Sequence, residues 1–452
     1  MEVKDFMHPE AIKNFNKNAE ELVDLVKSQQ AQKPRKIDYQ KGHFISHTIT
    51  KKDIIGEISI NLTNAFGNDL GYLFQVEQRD YGITGSDYEE LKKCAERIQK
   101  DKTFNTTSSV NFVIENLKKW IRNRYEKKEE KDFISFLESN LDSSIKKYQV
   151  WVPIPFTSIE NDFSIGNVKI RTISKSIIDL WIRIDANKID IDTLSKIEKF
   201  KAKIQQEYQG YAAAVYECEA ESIRAQEIAI DYISDALSML RLFSPSNFSM
   251  RLVSGMYEYG KGLIEIKNLF LFDSVNLGFS QKSELLDRGM HWTIPSYIYT
   301  YISNPAMSGF NEILLIKDKN EFQKKVYEAL KIYSKHTLRR NPFDKLLYIL
   351  IALESILLRN ETEPVQQNLA ERIAFAIEKT IDERKKIVKT IKKIYSIRSK
   401  FVHHGNQTID EIEELNKFLN IAWRMFVFLT QNISSFKTKD EFITALEDLK
   451  FS

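Results

Sequence analysis

An arginine and a histidine stand five positions apart in Ile394-Tyr395-Ser396-Ile397-Arg398-Ser399-Lys400-Phe401-Val402-His403-His404-Gly405. Arginine is a permanent cation whose planar fork fits a phosphate, and histidine can take or give a proton near neutral pH. Arg398 and His403 therefore form the smallest set of groups that could cut a phosphodiester without a metal. His404 duplicates the imidazole. The basic residues Arg384, Lys385, Lys386, Lys389, Lys392, Lys393, Arg398 and Lys400 precede or surround the pair, against Asp382 and Glu383. Of these, Lys389, Lys392, Lys393 and Lys400 are the candidate contacts for the backbone of an RNA that follows the helix into the Arg/His pair. A lysine-rich solvated face accounts for the same run.

The pair needs a helix to position it. Ile394, Ile397, Phe401 and Val402 form an apolar stripe over residues 382–403, and Gly405 supplies a stop. Five helical residues turn about 140°, so the two side chains do not share a narrow face on an ideal helix. They converge if the histidine lies at a frayed end, or if two copies meet across a two-fold axis. Near a helix C-terminus His403 should protonate more readily, which suits a general acid. Alternatively, both residues bond the last carbonyls of the helix.

The wider composition sets limits. At 452 residues, with 42% hydrophobic and 29% charged content, the chain is expected to form two or three folded domains. Fifteen glycines and nine prolines leave little room for long loops, so helix should dominate. A net charge of +3 offers no global attraction to nucleic acid, so any basic surface must be local. Cys94 and Cys218 are too isolated for a zinc knuckle or a disulfide framework and suit a reducing cytoplasm. His43 and His47 lack partners for a metal site, no phosphate-binding P-loop string occurs, and Gly255, Gly260 and Gly262 suit a turn between strands. No cofactor or metal is expected. The absence of a signal pattern and of a long apolar run predicts no membrane partner.

The patterning predicts an α+β protein in three parts. Residues 1–147 form a mixed region: a helical arm over 11–32, strands at 41–50, 54–62 and 71–76, then helices set by Leu91, Cys94, Ala95 and Ile98 and by Val110, Val113, Ile114, Leu117 and Ile121. Lys118, Lys119, Arg122 and Arg124 on the last of these form a solvated face laced with ion pairs. Residues 148–319 hold an extended segment at 148–155, a hairpin at 163–171 turning at Gly166-Asn167, a long helical region over 193–243, and strands at 249–254 and 262–272. Residues 320–452 form an all-α bundle with helices over 322–335, 344–358, 369–379, 382–403 and 410–434.

Three ordered blocks carry a resemblance: Leu350-Ile351-Ala352-Leu353-Glu354-Ser355-Ile356-Leu357, then Leu369-Ala370-Glu371-Arg372-Ile373-Ala374, then Tyr395 to Gly405. In order and spacing they resemble the HEPN domain, most of all its Apea-like branch, over roughly the last 120 residues. The resemblance implies a bundle that dimerises and cleaves RNA without metal. Arg398 would bind phosphate, His403 would act as acid/base, and a neighbouring ribose 2′-hydroxyl would be the nucleophile. Many members have Asn directly after the arginine, where this chain has Ser399. Glu354 on the second bundle helix is a partner for Arg398 on this reading. The implied role is an anti-phage (abortive-infection) or toxin-like ribonuclease in the cytoplasm, with the N-terminal region sensing a trigger such as a phage-derived protein. The other reading is a catalytically silent HEPN module that serves as a protein- or nucleotide-binding scaffold.

Overall fold

The structure, a computed structural model, describes residues 7–29, 59–64, 66–76, 79–182, 190–260, 266–273, 278–285, 290–305, 307–404 and 412–450. The strand expected at 41–50, with His43 and His47, lies outside them. The fold is α+β, with a mixed N-terminal region and an all-helical C-terminal region. The chain divides into two compact units, Met1–Tyr148 with Glu217–Ile228, and Gln149–Tyr216 with Ala229–Ser452.

In the first unit α1 (Pro9–Asp24) leads to β1 (Lys27–Gln29), β2 (Ser59–Thr63), β3 (Asp69–Val76) and β4 (Arg79–Thr84), followed by α2 (Ser86–Gln99), α3 (Val110–Tyr125) and α4 (Phe133–Ser144). The sheet order is β1-β4-β3-β2, with each pairing antiparallel. The helical arm expected over 11–32 is shorter. It stops at Asp24 because Lys27–Gln29 pair with Asp80–Gly82 of β4, which takes their backbone groups into the sheet. Ala19 and Leu22 of α1 are buried in the core. The spacing of α2 and α3 is that of the core: Leu91, Cys94, Ala95, Ile98, Val113, Leu117 and Ile121 are all buried. Trp120 packs among them, its Nε1 donating to the Lys131 carbonyl at 3.0 Å.

The basic flank of α3 is only partly as expected. Its ion pairs form, Lys118 to Glu115 at 2.8 Å, Arg122 to Glu126 at 3.0 Å and Arg124 to Glu20 at 2.7 Å. Lys118 and Arg122, however, are buried rather than solvated. Lys118 reaches inward to Asn61 Oδ1 at 3.1 Å, because a buried ammonium must be matched by acceptors. Lys118 and Arg122 therefore brace the interior and are not free to meet phosphates, whereas Lys119 is exposed.

The chain continues through β5 (Lys146–Pro153), β6 (Thr157–Ile159), β7 (Phe163–Ile165), β8 (Val168–Thr172), α5 (Lys175–Trp181), α6 (Ile191–Tyr208), β9 (Ala212–Ala220) and α7 (Ser222–Arg241). The predicted hairpin is β7–β8, in register Ile165↔Val168, and Gly166 at φ 57° takes the positive-φ corner of its two-residue turn. The single helical region expected over 193–243 is instead two helices with a strand between them. Gly210, at φ 90°, turns the chain after α6. Ala212, Ala213 and Ala214 then lie fully buried in β9, within the sheet order β5-β9-β8-β7. Alanine favours helix in isolation, but a crowded central strand admits small side chains, and tertiary packing overrides propensity.

After α7 come β10 (Ile266–Asp273), β11 (Gly278–Leu285), β12 (Trp292–Ile294), α8 (Ser296–Ser303) and α9 (Gly309–Leu315). β10 and β11 form an antiparallel pair, whereas β12 runs parallel to β6. No strand forms over 249–254 beyond one bridge from Ser254 to Met290. Its backbone serves other groups: the Ser249 carbonyl accepts from the buried Lys345 at 3.0 Å, the Leu252 carbonyl accepts from the same ammonium, and the Met250 amide donates to Asn416.

The bundle follows as α10 (Glu321–Ser334), α11 (Pro342–Leu357), α12 (Val365–Ile377), α13 (Ile381–His404), α14 (Ile412–Gln431) and α15 (Lys439–Asp448). Five of these match the expected helices. α15 went unpredicted, although Thr438 and Glu441 form the capping box that announces it. One hydrophobic cluster joins Ile154, Ile170, Ile233 and Leu237 to Leu350, Leu353, Ile391 and Phe426, so the spans 148–319 and 320–452 share a core.

Candidate functional site

α13 forms where Ile387, Ile391 and Ile394 recur at helical spacing and bury themselves in the bundle. Asp382 and Glu383 in its first turn complement the positive end of the helix dipole. Toward its other end Phe401 stacks on Phe343 of α11, with ring centroids 4.0 Å apart and planes 5° from parallel. The backbones of His403 and His404 belong to α13, and their side chains lie outside the described residues.

Arg398 is half-buried. Its Nε is buried and has no hydrogen-bond partner among the described residues. Its guanidinium lies 6.0 Å from the Tyr395 ring centroid, at the outer edge of a cation–π contact. Tyr395 in turn donates its hydroxyl to Glu354 Oε1 at 2.6 Å. Burial, and then the Glu354 carboxylate, raise the Tyr395 phenol well above its ordinary range, so it stays protonated and donating. Glu354 is therefore linked to Arg398 through Tyr395. A direct Arg398–Glu354 ion pair is absent among the described residues.

Tyr395 was not singled out from the sequence. The three-residue spacing to Arg398 places both on one side of the helix and was the available signal. Replacing it with phenylalanine keeps the ring beside Arg398 and removes the bond to Glu354. Urea denaturation is expected to show a loss of about 1 kcal/mol, and an unchanged midpoint would show that this bond does not brace the helix.

At 100° per residue Lys385, Lys386, Lys389, Lys392, Lys393 and Lys400 fall within about 120° of one another, so the lysines of α13 form one stripe. On the same count Arg398 lies about 120–180° from Lys385, Lys389 and Lys392 and only about 40° from Arg384. Arg384, Lys385, Lys389 and Lys392 line a groove of about 420 Å³ with Ala374 and Phe375 of α12. Lys389, Lys392, Ser399 and Lys400 are exposed. Lys393 is exposed too and lies 4.0 Å from Glu414 of α14, which shares out its charge. The basic run therefore follows α13 as a lysine stripe from Lys385 to Lys400, with Arg398 set off to one side of it.

The two thiols offer no competing chemistry. Cys94 is buried, which pushes its thiol up to about 11, and burial raises Cys218 as well. Neither would be a thiolate near neutral pH. His336, fully buried beside the Tyr333 carbonyl, is pushed down to about 3 and stays neutral, a core residue with no route to a substrate. Among the described residues no group of three or more His, Cys, Asp or Glu could hold a metal, and no helix is long and apolar enough to cross a membrane. Comparison with known proteins found no family model, no curated protein and no solved structure that matches this chain.

Proposed function

We propose that this chain is a HEPN-type endoribonuclease that cuts RNA without needing a metal, with Arg398 as phosphate binder and His403 as acid/base. The observation that supports the reading most is Arg398 itself. A half-buried guanidinium whose buried Nε has no partner among the described residues, set beside an aromatic ring, is poorly explained as a helix cap and well suited to a phosphate. The 2′-hydroxyl of the preceding ribose loses its proton to solvent and attacks phosphorus, and the bond to the 5′-oxygen breaks. His403 gives that oxygen a proton, so the products are a 2′,3′-cyclic phosphate and a 5′-hydroxyl. Arg398 neutralises charge that builds on the phosphate oxygens.

The roughly 140° between the two positions on one helix favours a site completed by a second copy, so the working form is a homodimer through the bundle. Ser399 is exposed beside Arg398 and can donate one hydrogen bond, and His404 is a second imidazole next to the acid. On this reading the enzyme acts in the cytoplasm in anti-phage defence or as a toxin, and the N-terminal region holds it in check until a trigger such as a phage protein arrives. Total RNA incubated with the purified chain in chelator should be degraded, and His403→Ala should leave it intact. Equal survival of the RNA with both proteins would overturn the nuclease reading in favour of a silent scaffold.

A further inference from the structure

The groove between α12 and α13 has a composition that identifies what it would hold. Its floor is apolar, from Phe375 and Val388, and its rim carries Arg384, Lys385, Lys389 and Lys392. Among the described residues no carboxylate lines it. Of the acids on the flanking turns, Glu371 pairs with Lys450 at 2.6 Å and Glu378 with Arg424 at 2.6 Å, Glu383 accepts from the Thr380 hydroxyl at 2.8 Å, and Asp382 is exposed. Lys385, Lys389 and Lys392 recur about once per helical turn, so the cations form a row rather than a point. A second copy of this groove would bring like charge against like charge, which disfavours self-association through it.

Arg384 gives the groove its specificity. Its guanidinium stacks on the Phe375 ring at 4.2 Å from the centroid, and its Nε donates to the Glu378 carbonyl at 3.0 Å. Two anchors hold the plane of this side chain. A guanidinium fixed in this way presents a flat cationic face on which a base can stack, and it has further N–H groups for a phosphate or a base edge. A row of cations beside a stacking platform is the arrangement that binds single-stranded nucleic acid. A duplex keeps its base faces stacked inside and could use only the row. An acidic peptide would use the lysines and leave the platform idle.

We infer that the α12–α13 groove is a track for single-stranded RNA, in which Lys385, Lys389 and Lys392 follow the phosphates and Arg384, fixed on Phe375, receives a base. The inference rests on the ribonuclease reading for its choice of RNA, and it adds a docking surface whose three lysines lie about 120–180° around α13 from Arg398. Because the lysine row and Arg398 are offset around α13, phosphates held by the lysines are not the phosphate that Arg398 binds.

The test uses the full chain carrying His403→Ala, so that the probe is not consumed, and a short fluorescein-labelled single-stranded RNA read by anisotropy. Lys389→Glu with Lys392→Glu is expected to weaken binding at least tenfold and to flatten the log–log salt slope by roughly 1.4, two phosphate contacts at about 0.7 each. Arg384→Lys keeps the charge and removes the platform, so it should weaken RNA binding about fivefold or more and leave binding of inorganic polyphosphate unchanged. The inference is overturned if the double variant binds as its parent does. It is equally overturned if Arg384→Lys has no effect on RNA, or lowers RNA and polyphosphate alike. Failure of the nuclease reading shows separately, as uncut RNA with the unmutated chain, whatever the binding result.

Discussion

Alanine in place of Arg372 is expected to lower the unfolding free energy of the unit that carries α12 by about 3–5 kcal/mol. The guanidinium is 1% exposed and donates to the Leu357 carbonyl at 2.6 Å, to both Glu363 oxygens at 2.8 and 3.0 Å, and to Glu447 at 2.6 Å. It thereby ties the end of α11, the start of α12 and the end of α15 together. Removal leaves Glu363 without the guanidinium that pairs with it and Glu447 with Arg359 alone at 2.8 Å, which costs more than the pair itself contributes. The same contacts predict a pH signature. The Arg372 guanidinium beside Glu363 holds that carboxyl down at about 2, below its ordinary 4.5. A carboxyl whose pKa falls on folding adds stability that is fully present above about 4.5 and is lost as pH drops toward 2. Stability of the parent should therefore decline through that window, and Arg372→Ala should show a shallower decline. Urea titrations across the window read both effects. A loss below about 1 kcal/mol would mean that Glu363 and Glu447 find other cations and that the network is not a tie.

A second large effect is expected at Arg398. Arg398→Ala should reduce RNA cleavage by roughly 10²–10³-fold, the scale for removing one charged donor aimed at a developing oxyanion. Arg398→Lys keeps a point charge and loses the planar fork, so it should recover only part of the rate. Folding should be little changed by either, since Arg398 forms no hydrogen bond through Nε among the described residues and is only half-buried. Cleavage that survives Arg398→Ala at the parental rate would remove this residue from the chemistry. A matching loss of thermal stability would instead assign it a structural task.

Periodicity exposed much of this architecture and failed where tertiary context decides. Ile387, Ile391 and Ile394 announce α13 because a helix on a large core must repeat its apolar face. The strand at Ala212–Ala220 was hidden, because its alanines suit a helix until β8 on one side and β5 on the other take up its backbone. At the candidate site, residue types and spacing pointed to Arg398 and His403, and following the charges around the helix keeps the lysines on one stripe while setting Arg384 and Arg398 beside it. Tyr395 and the Arg384–Phe375 stack were missed. Both are contacts between helices, Tyr395 with Glu354 of α11 and Arg384 with Phe375 of α12, and no one-helix pattern records them.

The most direct measurement concerns the acid. A single-stranded RNA and the same strand carrying 2′-deoxyribose at the cut position are incubated in chelator with the parent chain and with His403→Ala, and the product ends are identified. The account predicts cleavage of the RNA to a 2′,3′-cyclic phosphate and a 5′-hydroxyl, no cleavage of the deoxy-substituted position, and a rate lowered by roughly 10²–10⁴-fold in His403→Ala. Uncut RNA with the parent chain, products ending in 5′-phosphate, or undiminished cleavage by His403→Ala would each contradict it.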